Sequence, residues 1–227
     1  MGKGDEIIEG VYLIGGPNIS GFNDATSFVI DFNSELVMID SGGGETVSIL
    51  LRNMEVLGLD PARLSTLVLT HCHIDHIGGA PYFREKFGCR LIVHERDAEA
   101  IEAGDPLRSA AQWYGVTFPP TTIDWKMAKE YEVLRFGCEE LHLLHTPGHT
   151  QGSISVILDR GCKRVLFAQD IHGPFNRHFG SDISQWKRSM AKLLALEADI
   201  LCEGHFGIFQ PKEQVERYIK RYLKLYT

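Results

Sequence analysis

The sequence predicts one large α/β domain, and three observations carry that prediction. The chain has 227 residues, enough for one large core and too few for two. Its apolar segments alternate between short β-branched runs and stretches of helical three- and four-residue spacing. Their order, an opening series of strands followed by strand, helix and strand, is that of sheets covered by helices. Composition agrees, since 44% hydrophobic and 23% charged residues are ordinary globular values that exclude a disordered or fibrous chain.

Ile7 to Ile14, Ser27 to Asp31 and Leu36 to Ile39 read as short strands closed by Gly, Asn or Asp, in an antiparallel meander. After Ser41 and three glycines, Val47, Leu50, Leu51, Met54 and Leu57 recur at helical spacing until Gly58. Asp60 and Pro61 start a short second helix. Ser65 to Thr70 is a mostly apolar strand, the pattern of a strand covered on both faces, and it delivers the chain into HCHIDHIGGA. A helix near Pro81 to Phe87 and a strand from Arg90 to His94 follow. Residues 95–140 mix charged helical stretches with Gly115, Pro119 and Pro120, and read as a partly helical insertion in a single domain spanning 1–227. Strands return at Glu140 to His145, Ser153 to Leu158 and Arg164 to Phe167; a helix from Ser184 to Leu196 and a last strand, Asp199 to Cys202, complete the pattern. From Pro211, the residues Val215, Tyr218, Ile219, Tyr222, Leu223 and Tyr226 form one stripe, with five basic residues, Glu213 and Glu216 around the rest, as in a docked surface helix.

Charge and cysteine usage narrow the class of function. A formal charge of −7 argues against a surface built for a polyanion, so nucleic acid is disfavoured and a small-molecule substrate is expected. Cys72, Cys89, Cys138, Cys162 and Cys202 are odd in number and lack paired short spacing, which points to a reducing compartment. The opening MGKGDEIIEG does not read as a signal peptide, and nowhere do eighteen apolar residues run together. The expectation is a cytoplasmic protein with no membrane role; a homodimer stays open.

Of ten histidines, three fall within His71 to His76, with Asp75 among them, directly after a buried strand. In extended chain, residues i and i+2 project to one side, so His71 and His73 can grip one ion while Cys72 points elsewhere. Asp75 and His76 follow where the chain bends into Gly78 and Gly79, within reach of a second ion. Imidazole with carboxylate favours zinc, with iron or manganese next, and the lack of paired cysteines argues against a closed structural site. An open site implies catalysis.

These residues resemble the His-x-His-x-Asp-His hallmark of the metallo-β-lactamase superfamily, matched here by His71, His73, Asp75 and His76 after Thr70. The family's Gly-His-Thr turn is matched by Gly148, His149 and Thr150, its bridging aspartate by Asp170 in VLFAQD, its terminal Gly-His by Gly204 and His205, and its early Asp-x-Gly by Asp40 and Gly42. Gln169 departs from the glycine many relatives carry before the bridging aspartate. The resemblance implies an α+β four-layer αβ/βα sandwich, two mixed sheets flanked by helices. It also implies two divalent ions, one on His71, His73 and His149, the other on Asp75, His76 and His205, with Asp170 bridging.

Two ions about 3.5 to 4 Å apart can share a hydroxide as nucleophile, lowering the pKa of water to near neutrality. Asp75 would orient it, and His172, two residues past Asp170, is a candidate proton donor to the leaving group. The bridging carboxylate argues against a true β-lactamase. Within the family the chain is most similar to the glyoxalase II-like branch, which hydrolyses thioesters and related acyl substrates. Only 22 residues follow His205, so the helical glutathione-binding domain is expected to be missing. Residues 95–140 would roof the pocket instead, with Trp113, Tyr114, Phe118 and Trp125 as apolar walls. The competing readings are a mononuclear iron enzyme resembling persulfide dioxygenases, and a phosphodiesterase or nuclease. A non-catalytic redox module fits poorly, because flavodiiron relatives place glutamate where His73 stands.

Overall fold

The computed structural model describes residues 3–226; Met1, Gly2 and Thr227, the ends of the predicted 1–227 span, lie outside the described residues. Two compact units divide the chain, the first ending at Met127 and the second starting at Ala128.

The first unit carries a seven-stranded mixed sheet whose strands lie in sequence order: β1 (Asp5–Ile8), β2 (Val11–Gly15), β3 (Ser27–Asp31), β4 (Leu36–Ile39), β5 (Leu64–Val68), β6 (Arg90–His94) and β7 (Trp125–Met127). The first four pair antiparallel, and β4 to β7 pair parallel. Parallel neighbours need crossovers, supplied by α1 (Val47–Val56), by α2 (Ile74–Ile77) with α3 (Ala80–Phe87), and by α4 (Glu95–Ala103) with α5 (Ala111–Tyr114). Every residue of β4 is buried, which is why its sequence LVMI shows no alternation. Leu50 and Met54 of α1 join Met38, Leu67 and Leu91 of the strands in one core.

Two expectations change here. The run Ile7 to Ile14 is two antiparallel strands, because Gly10 takes a left-handed φ of 72° and its N–H donates to the Glu6 carboxylate at 3.0 Å, closing a turn. Residues 95–140, read as one partly helical insertion, are divided: α4, α5 and β7 belong to the first unit, while β8 (Tyr131–Phe136) pairs with β9 (Glu139–His145) in the second. The Asp124 carboxylate fixes β7, accepting from Leu91 N–H at 2.9 Å and from the Arg84 guanidinium of α3 at 3.0 Å. The four expected wall residues part company. Phe118 is in the core, Trp113 is exposed, Tyr114 lines a cavity of this unit, and Trp125 lies beneath the Arg90 guanidinium.

The second unit carries a six-stranded mixed sheet. Its remaining strands are β10 (Ile154–Arg160), β11 (Lys163–Phe167), β12 (Ile200–Glu203) and β13 (Gly207–Phe209), in the order β13-β12-β11-β10-β9-β8, antiparallel except for β11 with β12. Helix α6 (Ile183–Ala195) starts where Asp182 accepts from Gln185 N–H at 2.9 Å, the side-chain cap its first turn needs. Trp186, Met190 and Leu193 of α6 pack with Leu166 and Leu201 of the sheet and with Val215, Tyr218 and Ile219 of α7 (Lys212–Leu225). The C-terminal stripe is thus a docked helix, as its spacing predicts. Among the described residues no helix is long and apolar enough to cross a membrane.

Candidate metal centre

In the first unit the chain leaves β5 at Val68 and runs through Thr70, His71, Cys72 and His73 before α2 begins at Ile74. His71, His73, Asp75 and His76 are all buried. His71 Nε2 and His73 Nδ1 stand 3.1 Å apart. Two nitrogens on a tetrahedral zinc at ~2.0–2.1 Å would be about 3.3 Å apart, so this pair has the bite of a chelate. Cys72 turns the other way into the core, its thiol donating to the Arg108 carbonyl. Burial and the nearby Asp97 carboxylate push that thiol well above its ordinary range. Asp97, itself buried in α4, accepts from Cys72 N–H at 3.0 Å, and the Ser109 carbonyl accepts from Ile74 N–H at 2.7 Å, so the segment is held from behind.

Asp40 organises these histidines. It follows β4 with a left-handed φ of 54°, a strained conformation for a residue with a side chain and one that aspartate tolerates better than most. Its Oδ2 accepts from His76 Nδ1 at 2.7 Å and from Thr70 Oγ1 at 2.7 Å, and its Oδ1 from Thr70 N–H at 2.8 Å. Because the Thr70 hydroxyl donates to Asp40, it accepts from His71 Nδ1 at 3.2 Å. One carboxylate thereby sets two tautomers, presenting Nε2 of both His71 and His76, with His76 Nε2 facing Asp75 Oδ2 at 3.7 Å. Burial lifts the Asp40 carboxyl above its ordinary range, with the His76 imidazole pulling the other way.

In the second unit His149 lies in the turn between β9 and β10. The Gly148 φ of 146° and its close approach to Trp186 leave no room for a side chain. His149 Nδ1 donates to the Pro174 carbonyl at 2.9 Å, which directs Nε2 to Asp170 Oδ2 at 3.4 Å. Asp170, after β11, has a left-handed φ of 52° like Asp40. Its other oxygen, Oδ1, faces His205 Nε2 at 3.2 Å. A Cβ on Gly204 would come within 2.3 Å of that oxygen, so the glycine before His205 is a packing requirement. Imidazole and carboxylate donors of this kind, with the tautomers of His71, His76 and His149 fixed by partners on their far sides, suit divalent cations.

His172 has its Nδ1 2.7 Å from Glu203 Oε1, and its ring packs 5.5 Å from that of His205. Burial alone would lower the His172 pKa, but the hydrogen bond and charge of Glu203 outweigh it and raise it. Glu203 Oε2 accepts from the N–H groups of His205 and Phe206 at 2.9 and 3.0 Å, fixing the turn that presents His205. Sequence reasoning missed Glu203 and Asp97; the one available signal was a carboxylate inside the apolar run ILCE. The unassigned histidines serve structure. His94 caps α4, His142 meets the Tyr131 hydroxyl, His145 binds the Gln151 carbonyl and His178 sits in a 3-10 turn.

A match to the metallo-β-lactamase superfamily covers residues 20–205. A probable metallo-hydrolase from Methanocaldococcus jannaschii is 28% identical over 62% of this chain and 66% of its own length. The hydroxyacylglutathione hydrolase GloC from Haemophilus influenzae is 31% identical over 67% of this chain and 68% of its own. The chain therefore spans about two thirds of these relatives. A mutant metallo-β-lactamase from Cronobacter sakazakii superimposes with a TM-score of 0.84 at 21% identity, covering 100% of this chain and 96% of that one, a likeness of fold. With the family match across most of its length, two mixed sheets flanked by helices and the histidine and aspartate donors in family order, the chain belongs to the metallo-β-lactamase superfamily.

Proposed function

We propose that this chain hydrolyses small acyl substrates, thioesters, esters or lactones, with two divalent cations, zinc being the best match to the donors. The observation that carries the reading is Asp170, whose two carboxylate oxygens address different histidines, His149 at 3.4 Å and His205 at 3.2 Å, as a bridging ligand must. Following the family pattern, His71, His73 and His149 are assigned to one ion, Asp75, His76 and His205 to the other, and Asp170 to both. The relative GloC, named for thioester chemistry on hydroxyacylglutathione, supports an acyl substrate.

When bound, the cations would supply a water acidified to near neutrality and a Lewis acid for the carbonyl. The chain supplies the rest. Asp40 keeps Nε2 of His71 and His76 turned to their task. Asp75 orients the attacking water. His172, anchored through Nδ1 by Glu203, holds a proton at Nε2 for the leaving group. The substrate is a small molecule, not nucleic acid or a membrane.

The test is Asp170→Asn, assayed on an ester, thioester, lactone and phosphodiester panel alongside metal content. Acyl hydrolysis should be lost together with metal. Phosphodiester cleavage in the wild type without acyl turnover would overturn the assignment.

A further inference from the structure

The first unit holds a cavity of about 200 Å³ that the proposed chemistry leaves unused. Its apolar lining is Phe22, Ile74, Tyr114 and Val116, and Asp24 and Glu45 are its carboxylates. It lies against the ligand segment. Ile74 stands between His73 and Asp75, Ala25 N–H donates to the Asp75 carbonyl at 3.1 Å, and Gly43 and Gly44 pack on Gly78 so closely that a Cβ on Gly78 would come within 2.2 Å of Gly43. The loop and turn that wall the cavity are therefore the ones that touch the metal-ligand segment.

The two carboxylates play different parts. Asp24 is buried and fully committed, its oxygens accepting from Gly43 N–H at 2.8 Å and from the Ser20 and Thr46 hydroxyls. It builds the wall. Glu45 is exposed and has no ion-pair partner among the described residues. Phe22 is 91% exposed, an aromatic side chain held in water at the rim, which folding alone does not favour. An apolar lining with an uncompensated negative charge accepts an uncharged apolar group and repels an acid. The volume sets the size, since a cavity of about 150 Å³ holds a benzene-sized guest.

We propose that this cavity is the acyl subsite, taking a short, uncharged apolar acyl group of roughly benzene size, and that Glu45 rejects acyl groups ending in a carboxylate. The proposal rests on the acyl-hydrolase reading above. Its test has a binding arm that needs no turnover. In the metal-free full-length protein, hexanamide should shift the methyl resonances of Ile74 and Val116 saturably, and Val116→Trp, which narrows the cavity, should remove the effect. In the metal-loaded protein, Val116→Trp should lower the hexanoyl-to-acetyl ratio of kcat/KM at least tenfold. Glu45→Gln should raise the succinyl-to-butyryl ratio several-fold. Unshifted methyl resonances at high hexanamide, or ratios unmoved by both substitutions, would overturn the subsite. Saturable binding in a protein that turns over no acyl substrate would uphold the subsite and sink the hydrolase reading instead.

Discussion

Asp40 touches no cation in the proposed assignment, yet it fixes the tautomers of His71, through Thr70, and of His76 directly. Partners of this kind typically contribute 10–100-fold to metal affinity. Asp40→Asn, which keeps the left-handed tolerance of the position, should therefore weaken metal binding by about 10–100-fold in a competition titration with little loss of thermal stability in the metal-free protein; unchanged affinity would show that the tautomers are set otherwise. Asp75→Ala should abolish acyl hydrolysis while circular dichroism stays native. Cys72→Ser should retain full metal content, because the thiol faces the core and the Arg108 carbonyl. Loss of metal on that substitution would contradict the placement of residue 72.

At the scale of elements, the ends of buried strands present the candidate ligands, and the tight turns after them are required by packing. Gly148→Ala would force a Cβ within 2.3 Å of Trp186 from a backbone L residues avoid. A destabilisation of ~1–3 kcal/mol is expected from denaturant unfolding. Asp124 offers a pH test. The Arg84 hydrogen bond holds its carboxyl below the ordinary range, so its contribution is present above the unfolded value near 4 and lost as pH falls through the lower folded one. The stability gap between wild type and Asp124→Asn should therefore narrow below about pH 4; a gap constant with pH would refute the linkage. Much of this level was legible beforehand. Ser27 to Asp31, Leu36 to Ile39 and Arg90 to His94 are strands with the predicted bounds, because buried β-branched runs between turn residues leave little choice. The turn at Gly10 was hidden inside an apolar run, and β8 alternates around Glu132 and Arg135 while depending on a partner strand for its identity. The metal-ligand types were legible because histidines and aspartates cluster after strands. Glu203 and Asp97 were not, since an isolated carboxylate takes on its meaning only from the backbone N–H groups the fold brings to it.

For the whole molecule, the claim is that residues scattered from His71 to His205 serve one pair of cations and that folding and metal binding are coupled. A ligand that binds only the folded chain stabilises it by about 4 kcal/mol at a thousandfold excess over its Kd. Chelation should accordingly lower the melting temperature, and zinc should restore it. Elemental analysis of the full chain after saturation with zinc and gel filtration decides whether these residues share a pair of cations. Two zinc ions per chain are expected, falling in Asp170→Asn. A single iron that zinc cannot replace, or no bound metal at all, would overturn the dinuclear assignment.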